Sequence, residues 1–328
     1  MNTDTRRKIE LLARNRELLS KRSAFNHGLM LNMAALILTG ADKEADVDKI
    51  IECRKILRKN TGLFSSFRGR SEMALISKMA LARYPEKYIR DVKEAYTKIS
   101  KGRFAENSYL ITAASALCDQ GRADNMDKYI DKFDLLYRKM KKAHPFLTYS
   151  DDIPLAMLLS LTDRSVDEIV SDIETGYSYL KNRCRIPAGS DPCQAMSEVL
   201  AVTGGDMRAK CDKAVRFYYS FYSHKARYSS SHEFGSIATL IDINADTDDL
   251  VEEVIEVAEE LRHIKGFGFW NIDHKMRLMF AALLVRQAYG DKISSVSNTV
   301  ANAVAEEIVV TMIISEEASA AAAASAAY

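Results

Sequence analysis

The stretch VKEAYTKISKGRFAENSYL (Val92–Leu110), followed by FDLLYRKMKKAHPFLTYS (Phe133–Ser150), sets out a plan that the rest of the chain repeats. An apolar residue stands four before Tyr96 and another three after it, which places all three on one face of a helix. A basic bend follows, then Phe104, and four residues later Ser108, a residue type that accepts hydrogen bonds from the free N–H groups of a helix's first turn. A new apolar run starts there. The reading is one helical hairpin handing over to the next.

Lining up the copies gives the period. Tyr96, Tyr137, Tyr177, Tyr218 and Leu261 are 41, 40, 41 and 43 residues apart, each with an apolar residue three later (Ile99, Met140, Leu180, Phe221, Ile264). Val92, Phe133, Ile173 and Val257 stand four before their anchors, with Ala214 the small member of the set. Phe67, Phe104, Phe146, Ile186, Tyr228 and Phe269 each precede an expected cap: Ser71, Ser108, Ser150, Ser190, Ser231 and Asp273. The large apolar residue before the cap is expected to pin the entering chain as a staple. Prolines agree with this layout. Pro145 and Pro187 fall in bends, and Pro85, Pro154 and Pro192 in expected first turns, where a missing N–H costs nothing. A period near 40 with two helices per unit predicts an all-α fold, a right-handed α–α superhelix (solenoid) of about six hairpins of the TPR or HEAT kind. The expected divisions are a capping helix over 1–25, the hairpin repeats over 26–292, a closing helix over 293–315 and an Ala/Ser-rich tail over 316–328.

Composition sets bounds on function. Lys plus Arg (46) nearly equals Asp plus Glu (45), so no global field draws a partner, and recognition by charge depends on where the charges sit. The five cysteines are odd in number and lack CxxC spacing, which argues against a disulfide framework and a structural zinc site. The charged start, MNTDTRRKIELL, does not read as a signal peptide, and the most apolar window, Leu29 to Leu38, is far short of the ~20 residues of a membrane span. A cytoplasmic protein is expected, with no membrane partner.

Four segments, FRGRSEMALISKMALARYPE (67–86), NSYLITAASAL (107–117), RKMKKAHPFLT (138–148) and QAMSEVLAV (194–202), give the region from Asn60 to Tyr289 a resemblance to a bacterial family catalogued as domain of unknown function 4003. The resemblance implies a largely helical bacterial protein. It supplies no activity and no catalytic residue to carry over.

Charge position is the most informative local feature. Bends after the second helix of each hairpin are basic, and several opposite bends are acidic; Asp242 to Glu256 holds seven carboxylates and no cation. Helices that start acidic and end basic complement their own macrodipole, at about 0.3–1 kcal/mol per well-placed charge. The functional alternative is a basic edge that meets a partner, with Arg68, Arg70, Lys101, Arg103, Lys141, Lys142, His144, Arg183 and Arg185 as its candidate residues. No HxxxH or HExxH spacing, phosphate loop or GxSxG occurs, and GFGFW (266–270) reads as a bend. No catalytic residue, cofactor or metal ligand is therefore expected. The function expected is a non-enzymatic helical-repeat scaffold that binds a protein or peptide. Its alternatives are a binder of nucleic acid or another polyanion through the basic edge, then an enzyme or metal-binding protein.

Overall fold

The computed structural model describes residues 1–21, 28–63, 65–101, 107–182, 188–228, 234–290 and Val310. Among these residues the chain is helical and contains no strand. Fourteen α-helices follow one another: α1 (Thr3–Ser20), α2 (Gly28–Gly40), α3 (Val47–Asn60), α4 (Glu72–Leu81), α5 (Pro85–Ser100), α6 (Ser108–Asp119), α7 (Met126–Ala143), α8 (Ile153–Ser160), α9 (Val166–Asn182), α10 (Ser190–Leu200), α11 (Met207–Ser223), α12 (Phe234–Ile237), α13 (Thr247–Leu261) and α14 (His274–Ala288).

Two kinds of helix alternate. The even-numbered ones are apolar and buried along nearly their whole length, Met30 to Thr39 in α2 and Leu110 to Leu117 in α6 being typical. Odd-numbered helices bury one stripe, as the period predicts. In α5 that stripe is Ile89, Val92, Ala95, Tyr96 and Ile99; in α7 it includes Phe133, Leu136 and Met140. Even-numbered helices thus form an inner layer and odd-numbered helices an outer one. Each outer helix packs on the inner helix that follows it, which makes seven hairpins beginning with α1–α2.

Seven hairpins stand where about six were expected. Inner helices contact one another in sequence from α2 to α14, and α14 then packs on α2 and on α1. The first and last hairpins meet, so the array closes on itself. α1, expected as a terminal cap, is the outer helix of the first hairpin. Val310 is buried against the inner helices α4 and α6, beside Leu75, Lys78, Ile111 and Ser115. The remainder of the expected closing helix and tail lies outside the described residues.

Polar side chains bind neighbouring outer helices in a recurring way. A donor near the C-terminal end of one reaches a carboxylate in the first half of the next. Lys98 meets Asp127 at 3.0 Å, Lys139 meets Asp167, Tyr179 donates to Asp212 at 2.9 Å, and His224 lies 3.4 Å from Glu252. Between α13 and α1 the polarity is reversed. There the α-amino group of Met1 meets Glu256 at 2.7 Å, the Asn2 amide donates to Glu253 at 2.9 Å, and Arg6 lies 3.7 Å from Glu260. A second recurring device is a lysine on an outer helix that donates to the carbonyls ending its partner inner helix. Lys8 donates to Thr39 O (3.0 Å), Lys132 to Thr162 O (2.6 Å) and Lys213 to Ile241 O, answering acceptors that a helix C-terminus leaves free.

The expected caps fare unevenly. Asp273 accepts from Met276 N at 2.8 Å as anticipated. Ser108 is instead the first residue of α6, and Asn107 before it accepts from Leu110 N at 3.0 Å, since Asn caps as well as Ser does. Ser71 stands at the cap position of α4 without a side-chain cap bond, and Ser190 begins α10 after Gly189. Ser150 opens a short 3₁₀ turn, Ser150–Asp152, that leads into α8. Ser231 lies outside the described residues.

Candidate functional site

The two ends of the closed array are unlike. Connections from an inner helix to the next outer helix are short turns, such as Ala82–Tyr84 between α4 and α5. Those from outer to inner run long: 61–71, 144–152 and 262–273 among them. Long loops on a rigid scaffold are where binding residues concentrate. Large apolar side chains stand out in solvent on these loops: Leu63, Phe146, Tyr149, Phe269 and Trp270. Phe146 is 81% exposed and Trp270 93%. Phe269 and Trp270 meet edge to face at 5.3 Å between ring centroids.

This corrects the reading of these aromatics as staples. Phe67 and Tyr228 are buried and do pin their loops; Phe67 meets Tyr96 edge to face at 5.0 Å, and Tyr228 packs on Phe221 at 4.7 Å. Phe146 and Phe269 point outward instead. In the α7–α8 loop, Thr148 holds the buried position, two residues on from Phe146.

Under that loop lies a polar cluster. Fully buried Thr148 takes a hydrogen bond on Oγ1 from Gln194 Nε2 (3.3 Å), and Gln194 also donates to Glu198 Oε1 (2.9 Å) one turn further along α10. Tyr137 of α7 donates to Tyr149 O (2.9 Å), and the Tyr149 amide donates to Asp152 Oδ2 (2.7 Å). Lys141 donates to Thr148 O, its ammonium 5.1 Å from the centre of the Tyr149 ring. Among the described residues no donor reaches Glu198 Oε2, and none reaches Gln194 Oε1.

Burial and mutual repulsion set the protonation of this cluster. Burial, then the charge of Asp152, drives the Glu198 carboxyl well above the usual range. Asp152 is pushed up to about 8, first by burial and then by Asp151, against the opposing Tyr149 amide and Lys141. Tyr137 rises to about 12 by burial and the nearby Asp152. The cluster therefore keeps protonated carboxyl at neutral pH, able both to donate and to accept a hydrogen bond. Its sequence signal is Gln194 and Glu198, one helical turn apart and both buried in the inner helix α10. That signal stands inside QAMSEVLAV, one of the four segments that carry the family resemblance.

The expected basic edge is largely engaged within the protein. Arg68 donates to the carbonyls of Arg58 and Thr61, Lys101 lies 3.9 Å from Asp131 and 3.8 Å from Asp134, and His144 lies 2.8 Å from Glu174 with Tyr177 against its ring. Arg70 and Lys142 are exposed. Arg103, Arg183 and Arg185 lie outside the described residues. Of the candidates among the described residues, only Lys141 enters the polar cluster.

The model of the family described as "Protein of unknown function (DUF4003)" matches residues 16–315. The chain belongs to this family. The match covers most of the fourteen helices, and the cluster of Tyr137, Thr148, Asp152, Gln194 and Glu198 lies within it. Comparison with curated proteins and with solved structures finds no match. Among the described residues, no group of three or more His, Cys, Asp or Glu is placed to hold a metal ion, and no helix is long and apolar enough to cross a membrane.

Proposed function

We propose that this DUF4003 protein is a scaffold of repeated helical hairpins, a closed relative of the α-solenoids, that binds a protein or peptide at its long-loop end. The observation that carries this reading is the exposure of Phe146, Tyr149, Phe269 and Trp270 on loops of that end. Aromatic side chains offer large contact area at small entropic cost and are enriched where proteins meet. A rigid ring of helices presents them without reorganisation, which favours binding.

The polyanion reading draws less support. A cation already facing a carboxylate, as Lys101 does, has little net field to offer a phosphate backbone. An enzyme reading would rest on the Asp152–Glu198 pair, which has the perturbed protonation of a proton-transfer site.

Photo-crosslinking tests the scaffold reading. A crosslinker at position 146 or 270 is expected to capture one defined protein in the native cell, surviving nuclease and moderate salt. The same group at Tyr84, on a short turn of the other end, should not capture it. Equal capture from both ends, or capture that disappears with nuclease, would overturn the reading.

A further inference from the structure

At the seam where the first and last hairpins meet, a buried cation stands without a counter-charge among the described residues. Arg16, on the last turn-and-a-half of α1, is 5% exposed. Its Nε donates to Asn32 Oδ1 of α2 at 2.6 Å, and Asn32 Nδ2 donates to Gly266 O of the α13–α14 loop at 2.7 Å. The guanidinium is thereby fixed in orientation by three elements. Gly266 makes the arrangement possible. Its φ is +92°, and a Cβ there would lie 2.6 Å from Arg16 Nε and 2.8 Å from its terminal nitrogen Nη2.

The rest of the fork has no acceptor. Among the described residues none reaches either terminal nitrogen, and Nη1 is fully enclosed. No carboxylate of the described residues opposes the charge: burial moves the Arg16 guanidinium downward from its ordinary value. The surroundings offer no substitute. Arg277, also buried, donates to the carbonyls of Phe267 and Ile272, and Lys265 lies by Glu17. Other buried cations of this protein do find acceptors, as Lys8 does in Thr39 O and Asp42. A buried charge left unpaired is strongly unfavourable, and a planar guanidinium with free terminal N–H groups matches an oxyanion.

We propose that Arg16 is the anchor of a ligand-binding site at this seam, where its terminal nitrogen Nη2 receives the carboxylate of a bound ligand. A carboxylate fits better than a phosphate because one guanidinium balances one negative charge, and among the described residues no second uncommitted cation faces the site. The inference is independent of the partner-binding reading, since it rests on a buried group rather than on the exposed aromatics.

The test uses the full chain and thermal melting. Sodium acetate and, separately, inorganic phosphate are titrated with chloride holding ionic strength constant. Acetate is expected to raise the Tm with saturation, as a ligand that binds only the folded state must. Phosphate should add no saturable rise. Arg16→Met is expected to abolish the acetate response and, without acetate, to melt no lower than the wild type, because it removes an uncompensated charge. Should Arg16→Met not fold, Arg16→Lys decides: it keeps the charge without the fork and should weaken the acetate midpoint about tenfold. Three results overturn the proposal: a wild type indifferent to acetate, a saturable response to phosphate in its place, or acetate stabilisation unchanged in the variant that folds.

Discussion

Glu198 shows how a single buried group shapes the behaviour of this protein. Its carboxyl and that of Asp152 hold protons in the folded state at a pH where both would be ionised in the unfolded chain. A carboxyl whose folded pKa is raised contributes stability that is fully present below its unfolded pKa. That contribution is lost as pH rises through the folded value. For Asp152 the window runs from its ordinary 3.8 to about 8, so stability should fall across this range and level off above it. Glu198→Gln keeps the shape and the bond to Gln194 while removing the ionisation. It should flatten the fall and raise stability at pH 8.5 by about 1–3 kcal/mol, the scale of a relieved buried group. Urea midpoints of both proteins at pH 5 and pH 8.5 measure this. An equal pH slope in the two would show that Glu198 does not carry the dependence. Gly176, in the middle of α9, acts through space instead. A Cβ there would stand 2.9 Å from Ser197 Cβ and 3.2 Å from Met207 Sδ, which makes it the point of close approach between α9 and α10. Gly176→Val is expected to cost about 1–3 kcal/mol by overpacking, read as a lower urea midpoint at unchanged slope.

At the scale of the helix, the apolar stripe outweighs the ionic contacts. Lys98–Asp127 joins a part-exposed ammonium to an exposed carboxylate, and such solvent-facing pairs contribute little to stability. Phe133 is fully buried in the stripe of α7, and Phe133→Ala should cost about 3–5 kcal/mol. Thermal melts of Lys98→Met and Phe133→Ala should therefore differ several-fold in their shift, and comparable shifts would mean that the outer helices are held by charge. The same contrast explains what the sequence could reveal. Val92, Tyr96 and Ile99 betrayed their face because burial on one side leaves a period. The inner helices are buried all round, so SYLITAASAL shows length and apolarity but not which neighbour it packs on. The expected divisions set the first helix apart as a cap over 1–25, whereas α1 packs on both α2 and α14. The cluster at Glu198 was hidden because Tyr137 comes from α7, Thr148 and Asp152 from the loop that follows it, and Gln194 and Glu198 from α10. Arg16 was hidden similarly: Asn32 reaches it through the α1–α2 hairpin, and the carbonyl of Gly266 reaches Asn32 only by closure.

Closure is what gives the molecule properties that an open array lacks. In an open stack each hairpin touches only its neighbours, so the terminal hairpins lose protection first. Here α1 packs on α14 as well as on α2, and the N-terminal residues Met1 and Asn2 are held by Glu256 and Glu253 of α13. The ends are therefore interior to the circuit. Amide hydrogen exchange distinguishes the two cases directly. In a closed ring the backbone amides of α1 and α14 should be protected to nearly the same free energy as those of α7, because opening any hairpin breaks two inter-hairpin surfaces. An open stack would instead show protection falling towards both ends. Removing α1 sharpens the comparison. Its loss would uncover the flank of α14 and take the N-terminal groups away from Glu256 and Glu253 of α13. The deletion should lower protection in α13 and α14 as strongly as in α2. Protection that falls in α2 alone would show that the seam contributes nothing, and that the hairpins are stacked rather than closed.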